Sequence, residues 1–426
     1  MRKHIYLCIG TISLLAAPLQ AQDDGLDITS PTLRDLSARL ELGEPSAIND
    51  FWSRVEVRQT PLLEEIPGET DRLLVTFLYR DSLAAGVRLQ SNINAMLIDG
   101  LATDFDQLGQ MRRLGESDVW YVSMPVPLKA RAPYIFQVTS GDEEKAALDP
   151  LNPLRLWPQS RFAWSVVELP GVEPQPWVAE RDETPHGEWT ELAVHSDVLD
   201  GAQEVWVFTP ADYDRSRAEP YDVLIGLQVS TFRYGLSTEI TLDNLIAAGK
   251  IPSTVAIAVE MGGRQVEKEA YGPTVTFIAD ELLPTLRDQF NLSSDPNHVT
   301  VAGTSRRGLV ATYAAFSRPD AVRNVIAMSS SYYWAPPGDP EPEWLARLYS
   351  SGNKVPARLY VSAGTLETVV TPGNRGHYML AMNRHFRDVL TARGYDFQFE
   401  EFGGVHHELS WQGELAKGLI FVRGIQ

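Results

Sequence analysis

The chain has 426 residues, and its 37 Lys and Arg against 56 Asp and Glu give a formal charge of −19 at pH 7. A field of that sign disfavours nucleic acid and anionic lipid as partners and favours solubility. The length suggests two or three domains with a large core. Met1 to His4 is a short basic head, Ile5 to Ala17 is an apolar run too short to span a bilayer, and Pro18 to Ala21 ends in a small residue before Gln22-Asp23-Asp24. This is the pattern of a secretory signal peptide, cleaved after Ala21, and it predicts a periplasmic or secreted protein. Cleavage removes Arg2, Lys3 and Cys8, the single cysteine, so the mature chain is expected to be more acidic still and free of disulfides and thiolate chemistry. No later run reaches the apolar length of a membrane helix, and the mature form is expected to have no membrane partner.

Residues 22–50 read as a lead-in, helical in part through Leu33, Leu36, Leu40 and Leu42. From 51 to 165 the chain is strand-like. Leu73–Tyr79, Asp118–Met124 and Tyr134–Val138 are rich in β-formers and separated by turn residues, which predicts an antiparallel, immunoglobulin-like β-sandwich. This domain carries no chemistry of its own and reads as a scaffold or docking module. Pro170, Pro174, Pro176 and Trp177 mark an extended connector over 166–187, with Trp177 as an anchor and a boundary near Thr184–Trp189.

The second domain, 188–426, alternates strands and helices. Strands are predicted at Glu188–His195, Glu204–Thr209, Tyr221–Gln228, Thr254–Glu260, His298–Ala302, Val322–Met328, Arg358–Ser362 and Phe397–Phe402. Helices are predicted at Glu239–Gly249, Val275–Phe290, Leu309–Phe316, Tyr378–Arg393 and Trp411–Val422. Two antiparallel strands followed by strand–helix repeats is the order of an α/β-hydrolase domain, with a mostly parallel sheet covered on both faces.

The turn Gly303-Thr304-Ser305-Arg306-Arg307-Gly308 places Ser305 between a buried strand and an apolar-faced helix, the setting of a nucleophile elbow. The usual spacing is G-x-S-x-G; here Arg307 stands at the second glycine and Gly308 follows it. In this fold the nucleophile is followed by an acid and then a histidine, each on a loop at the carboxyl end of a strand. Glu367 follows the strand Arg358–Ser362, and His406-His407 follow the strand Phe397–Phe402. Asp396, Glu400 and Glu401 are the other carboxylates near that last strand. A serine hydroxyl needs an imidazole to take its proton and a carboxylate to fix the tautomer, roles open to His406 and Glu367. No third histidine or cysteine stands near His406-His407 in sequence, so no metal site is predicted. The backbone N–H of Arg306 and one from the loop at Leu227-Gln228 are the candidate oxyanion donors.

Several segments carry a resemblance, in order along the mature chain. They are VTFLYR (Val75–Arg80), SDVWY (Ser117–Tyr121), ARAPYIF (Ala130–Phe136), ALDPLNP (Ala147–Pro153) and VVELPGVEPQPW (Val166–Trp177) in the first domain. In the second they are EVWVFTP (Glu204–Pro210), DELLPTL (Asp280–Leu286), VAGTSRRGL (Val301–Leu309), SSSYYW (Ser329–Trp334), AGTLE (Ala363–Glu367) and HHELSWQGEL (His406–Leu415). The chain resembles the enterochelin esterase family, two-domain enzymes that hydrolyse the serine trilactone of ferric enterobactin and related catecholate siderophores. The resemblance implies Ser305 as nucleophile and Glu367 as acid. It also selects His406, because the family histidine stands three residues before a leucine and five before a tryptophan, as His406 does before Leu409 and Trp411.

The sequence departs from the family at Arg307, at Ile225-Gly226-Leu227-Gln228 where the family carries Asp-Gly-Gln, and between Arg264 and Phe277, which lacks a Cys-Asn pair. The resemblance implies a serine esterase that needs no cofactor. Its implied small-molecule substrate is a ferric catecholate siderophore, which is anionic, so Arg306 and Arg307 are candidate contacts by charge, with Arg264, Arg375, Trp334 and Trp411 as further candidates. The other reading of the arginine pair is that Arg306 points to solvent and Arg307 pairs with a local carboxylate. The alternatives are an esterase acting on acetyl or feruloyl groups of an ester-bearing glycan, and a non-catalytic siderophore- or glycan-binding relative.

Overall fold

A computed structural model describes residues 29–97, 109–158, 160–260, 271–368 and 379–425. The signal peptide with its cleavage point, Arg264 and Arg375 lie outside the described residues.

The lead-in is two helices, α1 (Pro31–Glu41) and α2 (Ala47–Arg58). Ser30 caps α1 by accepting a hydrogen bond from the Leu33 N–H at 3.2 Å, with Pro31 at the first helical position. The strand-rich region was expected to open at residue 51, yet Phe51 lies inside α2. Phe51, Trp52 and Val55 all fall on its buried side with Leu33 and Leu36 of α1. Strand formers at helical spacing pack here as one helix face, a tertiary choice that overrides local propensity.

Among the described residues nine strands follow: β1 (Leu62–Glu65), β2 (Arg72–Arg80), β3 (Gly86–Gln90), β4 (Arg112–Arg113), β5 (Val119–Pro127), β6 (Arg131–Ser140), β7 (Glu143–Ala147), β8 (Arg155–Leu156) and β9 (Trp164–Glu168). They form two antiparallel sheets, ordered β1-β2-β5-β4 and β3-β6-β9-β8, with β7 on β6. Val75, Phe77, Met124 and Val126 of the first sheet share one core with Val87, Leu89, Tyr134 and Phe136 of the second. Trp177 of the connector is tied to the second domain, where its carbonyl accepts from Asn244 Nδ2 at 2.9 Å.

The remaining strands are β10 (Glu188–Ser196), β11 (Gly201–Thr209), β12 (Asp222–Leu227), β13 (Thr254–Val259), β14 (Val299–Thr304), β15 (Asn324–Met328), β16 (Arg358–Gly364) and β17 (Asp396–Phe402). They build one sheet in the order β10-β11-β13-β12-β14-β15-β16-β17, antiparallel at β10, β11 and β13 and parallel thereafter. Residues alternate between its two covered faces. Val223, Ile225, Val299, Val301, Leu359 and Val361 enter one core, and Leu224, Ala302 and Tyr360 the other.

The α-helices of this domain among the described residues are α3 (Thr238–Ala247), α4 (Gly272–Thr276), α5 (Leu283–Gln289), α6 (Ser305–Ser317), α7 (Trp344–Ser351), α8 (Met379–Ala392) and α9 (Glu408–Arg423). The helix expected over Val275–Phe290 is interrupted by a π-helical turn at Phe277–Leu282. Pro284, near the start of α5, has no N–H to continue the ladder. Two other helices start earlier than their apolar runs suggest, α6 at Ser305 and α9 at Glu408, because their first turns are polar. No helix among the described residues is long and apolar enough to cross a membrane.

Candidate active site

Ser305 sits where β14 turns into α6, with φ of 51°, in the left-handed region that an ordinary side chain rarely adopts. Only glycine fits two residues earlier, since a Cβ on Gly303 would come within 2.3 Å of the Arg307 backbone. The second close approach of the turn falls on Gly308, where a Cβ would stand 2.1 Å from Ser330 Oγ. Position 307 is therefore spared the crowding that usually demands glycine there, and Arg307 is half-buried with its backbone in the first turn of α6. Its Nε is buried without a hydrogen-bond partner among the described residues. The Arg306 guanidinium lies over the Trp334 ring, 5.1 Å from its centroid, and Trp334 in turn packs on Tyr271 and Trp344. Trp334 is thus a buried platform beneath Arg306.

Glu367 follows β16 and is 7 % exposed. Its Oε1 accepts from Ser329 Oγ at 2.6 Å and from the Gly364 N–H at 3.2 Å, and its Oε2 faces His406 Nδ1 at 3.2 Å. The other carboxylates near β17 are engaged elsewhere: Glu401 with Arg384 at 2.6 Å, Asp396 with Arg358 at 3.5 Å and Glu400 with Lys417 at 3.6 Å. The hydrogen bond of Ser305 Oγ among the described residues is to Ser331 Oγ, at 3.4 Å, and the Ser331 N–H is given to the Ser305 carbonyl. Ser305, Glu367 and His406 follow the carboxyl ends of β14, β16 and β17 in one parallel run, the edge at which ligands bind in such sheets, with β15 between the serine's strand and the other two. Among the described residues the structure pairs His406 with Glu367 and pairs Ser305 Oγ with Ser331, not with His406.

Trp411, expected to touch substrate, is turned inward. It is 5 % exposed, stands edge-on to the His406 ring at 4.8 Å, and donates Nε1–H to Ser329 Oγ at 2.8 Å. Its indole N–H has one buried acceptor within reach, which fixes the ring behind the histidine. His407 is not a second base. Its Nδ1 accepts from the Leu409 N–H at 3.3 Å at the start of α9, and its ring lies between Trp157 and Trp164. Burial holds its pKa below the ordinary 6.5, so the ring is neutral near pH 7.

Gln228, expected as an oxyanion donor, does not have a free N–H. Its N–H is spent on the Val259 carbonyl at 2.7 Å, which prolongs the β12–β13 pairing past the strand end, and its φ is 104°. Leu227 pairs with Val259 inside the ladder and is fully buried. The next N–H, that of Val229, is held by Glu260 Oε1 at 3.0 Å. Arg306 keeps the better placement, in the first turn of α6, where the helix N–H groups and dipole favour negative charge. No group of three or more His, Cys, Asp or Glu that could hold a metal ion occurs among the described residues.

Comparisons with known proteins bear on the family. The esterase family model matches residues 196–422, and the model of the enterochelin esterase N-terminal domain matches residues 74–178. The chain belongs to the enterochelin esterase family. Among curated relatives, the iron(III) enterobactin esterase of Escherichia coli O6:H1 is 27% identical over 81% of this chain and 90% of its own length. The iron(III) salmochelin esterase of the same strain is 23% identical over 92% of this chain and 98% of its own. Among solved structures, ferric enterobactin esterase from Salmonella typhimurium shares the fold at TM-score 0.70 and 22% identity, covering 87% of this chain and 98% of that one. The Shigella flexneri enterobactin esterase solved in the presence of enterobactin does so at TM-score 0.67 and 22% identity, covering 87% and 97%.

Within this enterochelin esterase family member, the local sequence pattern marks Ser305, Glu367 and the pair His406-His407, and the resemblance selects His406, but both miss Ser329, Ser331 and the inward role of Trp411. The run Ser329-Ser330-Ser331 directly after a buried strand was the available signal. Three small hydroxyl residues there, all at most 1% exposed, are costly to bury unless they bond to something in the site.

Proposed function

We propose that this chain is an exported serine esterase that hydrolyses the ester bonds of a ferric catecholate siderophore and so releases its iron. Ser305 Oγ attacks the ester carbonyl while the ring nitrogen of His406 not facing Glu367 takes the hydroxyl proton. The Arg306 N–H donates to the oxyanion of the tetrahedral intermediate. His406 returns the proton to the departing serine hydroxyl of the substrate, and a water then cleaves the acyl-enzyme by the same route in reverse. The Arg306 and Arg307 charges favour an anionic substrate at the mouth of a protein that is acidic overall. Iron is cargo of the substrate, and no resident cofactor takes part.

The observation that carries this reading is the contact of Glu367 with His406 on neighbouring strand ends, together with a serine held at positive φ between β14 and α6 at the same edge of the sheet. Under the same reading the two N-terminal sheets form an immunoglobulin-like sandwich over 51–165, and cleavage after Ala21 delivers the chain to the periplasm or medium. A capture protein without turnover is the second reading, favoured by the occupied N–H groups of Gln228 and Val229.

The deciding experiment incubates the mature protein and its Ser305→Ala variant with ferric enterobactin, and in parallel with aryl and feruloyl esters, and separates the products by chromatography. Serine-dependent linear dihydroxybenzoylserine fragments support the siderophore reading. Cleavage of the simple esters alone moves the assignment to glycan esters, and binding without turnover moves it to capture. Amino-terminal sequencing of the exported protein tests the cleavage point.

A further inference from the structure

The first domain was expected to be a scaffold or docking module apart from the chemistry, but it reaches into both loops of the site. Leu366 and Val405, each the residue immediately before Glu367 and His406, are members of the core that the two N-terminal sheets share. They are 6 % and 1 % exposed. The backbone joins where these side chains insert. The Arg131 N–H at the start of β6 donates to the Gly403 carbonyl at 3.1 Å, and Arg131 forms a parallel bridge with Gly404. The approach is close enough that a Cβ on Gly403 would fall 1.6 Å from the Lys129 carbonyl oxygen. Asn92 Nδ2, from the turn after β3, donates to the His406 carbonyl at 3.1 Å.

β17 is the edge strand of the eight-stranded sheet and β16 is its neighbour. A loop leaving an edge strand has no further strand to hold it, and loops of that kind open most easily. Here the missing neighbour is supplied by β6 of the other domain, and the loop ends are fixed by apolar side chains in that domain's core. Hydrogen bonds from the Leu366 N–H to the Gly404 carbonyl, and from Thr365 to Phe402, tie the two loops to each other, so that they are held as one unit.

We propose that the first domain sets the geometry of the Glu367–His406 pair, with Leu366, Val405 and Asn92 as positioning residues that touch neither substrate nor reacting atoms. The proposal rests on the serine-esterase reading above. It requires that loosening these anchors lowers turnover without weakening binding, because a displacement of about 1 Å in a catalytic group is enough to cost roughly 100-fold in rate.

The test measures kcat, KM and the rate of Ser305 phosphonylation by a fluorophosphonate, using a small neutral aryl ester as substrate. The variants are Leu366→Ala, Val405→Ala and Asn92→Ala. Val87→Ala is the control, since Val87 is as buried as Val405 in the same core and stands on β3 opposite Val138 of β6. Leu366→Ala and Val405→Ala are expected to lower kcat and phosphonylation by roughly 10- to 100-fold with KM within about threefold, and Val405→Ile to recover most of the loss. Val87→Ala, at a comparable drop in Tm, is expected to keep kcat within about twofold. Wild-type kcat in folded Leu366→Ala and Val405→Ala, or an equal loss in Val87→Ala, overturns the proposal. Should the core variants not fold, wild-type kcat in Asn92→Ala, whose side chain is at the surface, overturns it as well. Activity surviving in Ser305→Ala instead removes the serine-esterase reading and leaves the anchoring of the loops as a purely structural fact.

Discussion

Trp411 Nε1 donates to Ser329 Oγ at 2.8 Å, and Ser329 Oγ donates onward to Glu367 Oε1 at 2.6 Å, on the opposite side of the carboxylate from His406. The acid is therefore gripped from behind by a relay of two buried donors, and the same indole that starts the relay packs its ring against the histidine. One residue thus constrains both members of the pair.

Ser329→Ala removes one of the two donors to Glu367 Oε1 and leaves the Trp411 N–H without its acceptor. The expected cost is about 1–3 kcal/mol of stability and roughly a tenfold lower kcat. Trp411→Phe removes the N–H together with part of the bicyclic ring, so the relay is read from the coupling: Trp411→Phe should cost less in the Ser329→Ala background than in wild type. Steady-state kinetics with thermal melts on the two single variants and the double variant checks this, and fully additive losses would contradict the relay.

Glu367→Gln should lower kcat by roughly 1,000-fold or more, because an amide cannot stabilise the imidazolium and offers a donor where an acceptor is needed. Glu401→Gln should leave kcat unchanged, since Glu401 is occupied by Arg384. Comparing the two variants on one ester distinguishes the acid at β16 from the carboxylates of β17.

Arg306→Ala with Arg307→Ala should raise KM for a ferric siderophore far more than for a neutral ester, and the difference should shrink as salt is added. Equal effects on both substrates would remove any electrostatic role for the pair. Gly303→Ala is expected to abolish activity, because its Cβ would meet the Arg307 backbone at 2.3 Å and force the Ser305 turn open.

His407 adds a pH dependence to stability. Burial depresses its folded-state pKa below 6.5, so the unfolded chain binds the proton more readily. Stability from this group is complete above the unfolded pKa and falls as pH drops through 6.5 toward the folded value. His407→Asn, which retains a side-chain acceptor for the Leu409 N–H, should flatten the decline of Tm between neutral and mildly acidic pH. Buried Asp149 and Glu414, both raised by desolvation, pull the other way, and the comparison of variant with wild type removes their contribution.

Lys417→Met should destabilise the second domain by about 3 kcal/mol, because it leaves Glu414, 3 % exposed, with Tyr360 but no cation. Adding Glu414→Gln should recover much of that loss. Urea titration of the two single variants and the double variant measures the coupling.

The sequence by itself determined the parts of this protein that follow from local pattern. Period-two runs and apolar strands marked two β-rich sheets followed by a strand–helix alternation, and the glycine at 303 with polar residues between a buried strand and a helix marked the turn at Ser305. The order of a serine, an acid and the pair His406-His407 behind strand ends was legible for the same reason, since strand ends are set by where apolar runs stop, while the choice of His406 came from the family resemblance. What only the tertiary structure decided depends on which groups are already spent. The N–H of Gln228 is spent on the Val259 carbonyl, Trp411 is held behind the histidine by Ser329, and Glu401 is occupied by Arg384, and none of these pairings is written in local sequence. The helix at Phe51 and the insertion of Leu366 and Val405 into the other domain's core were hidden likewise. Burial is a relation between segments distant in the chain, and no local spacing of apolar residues states which core they enter.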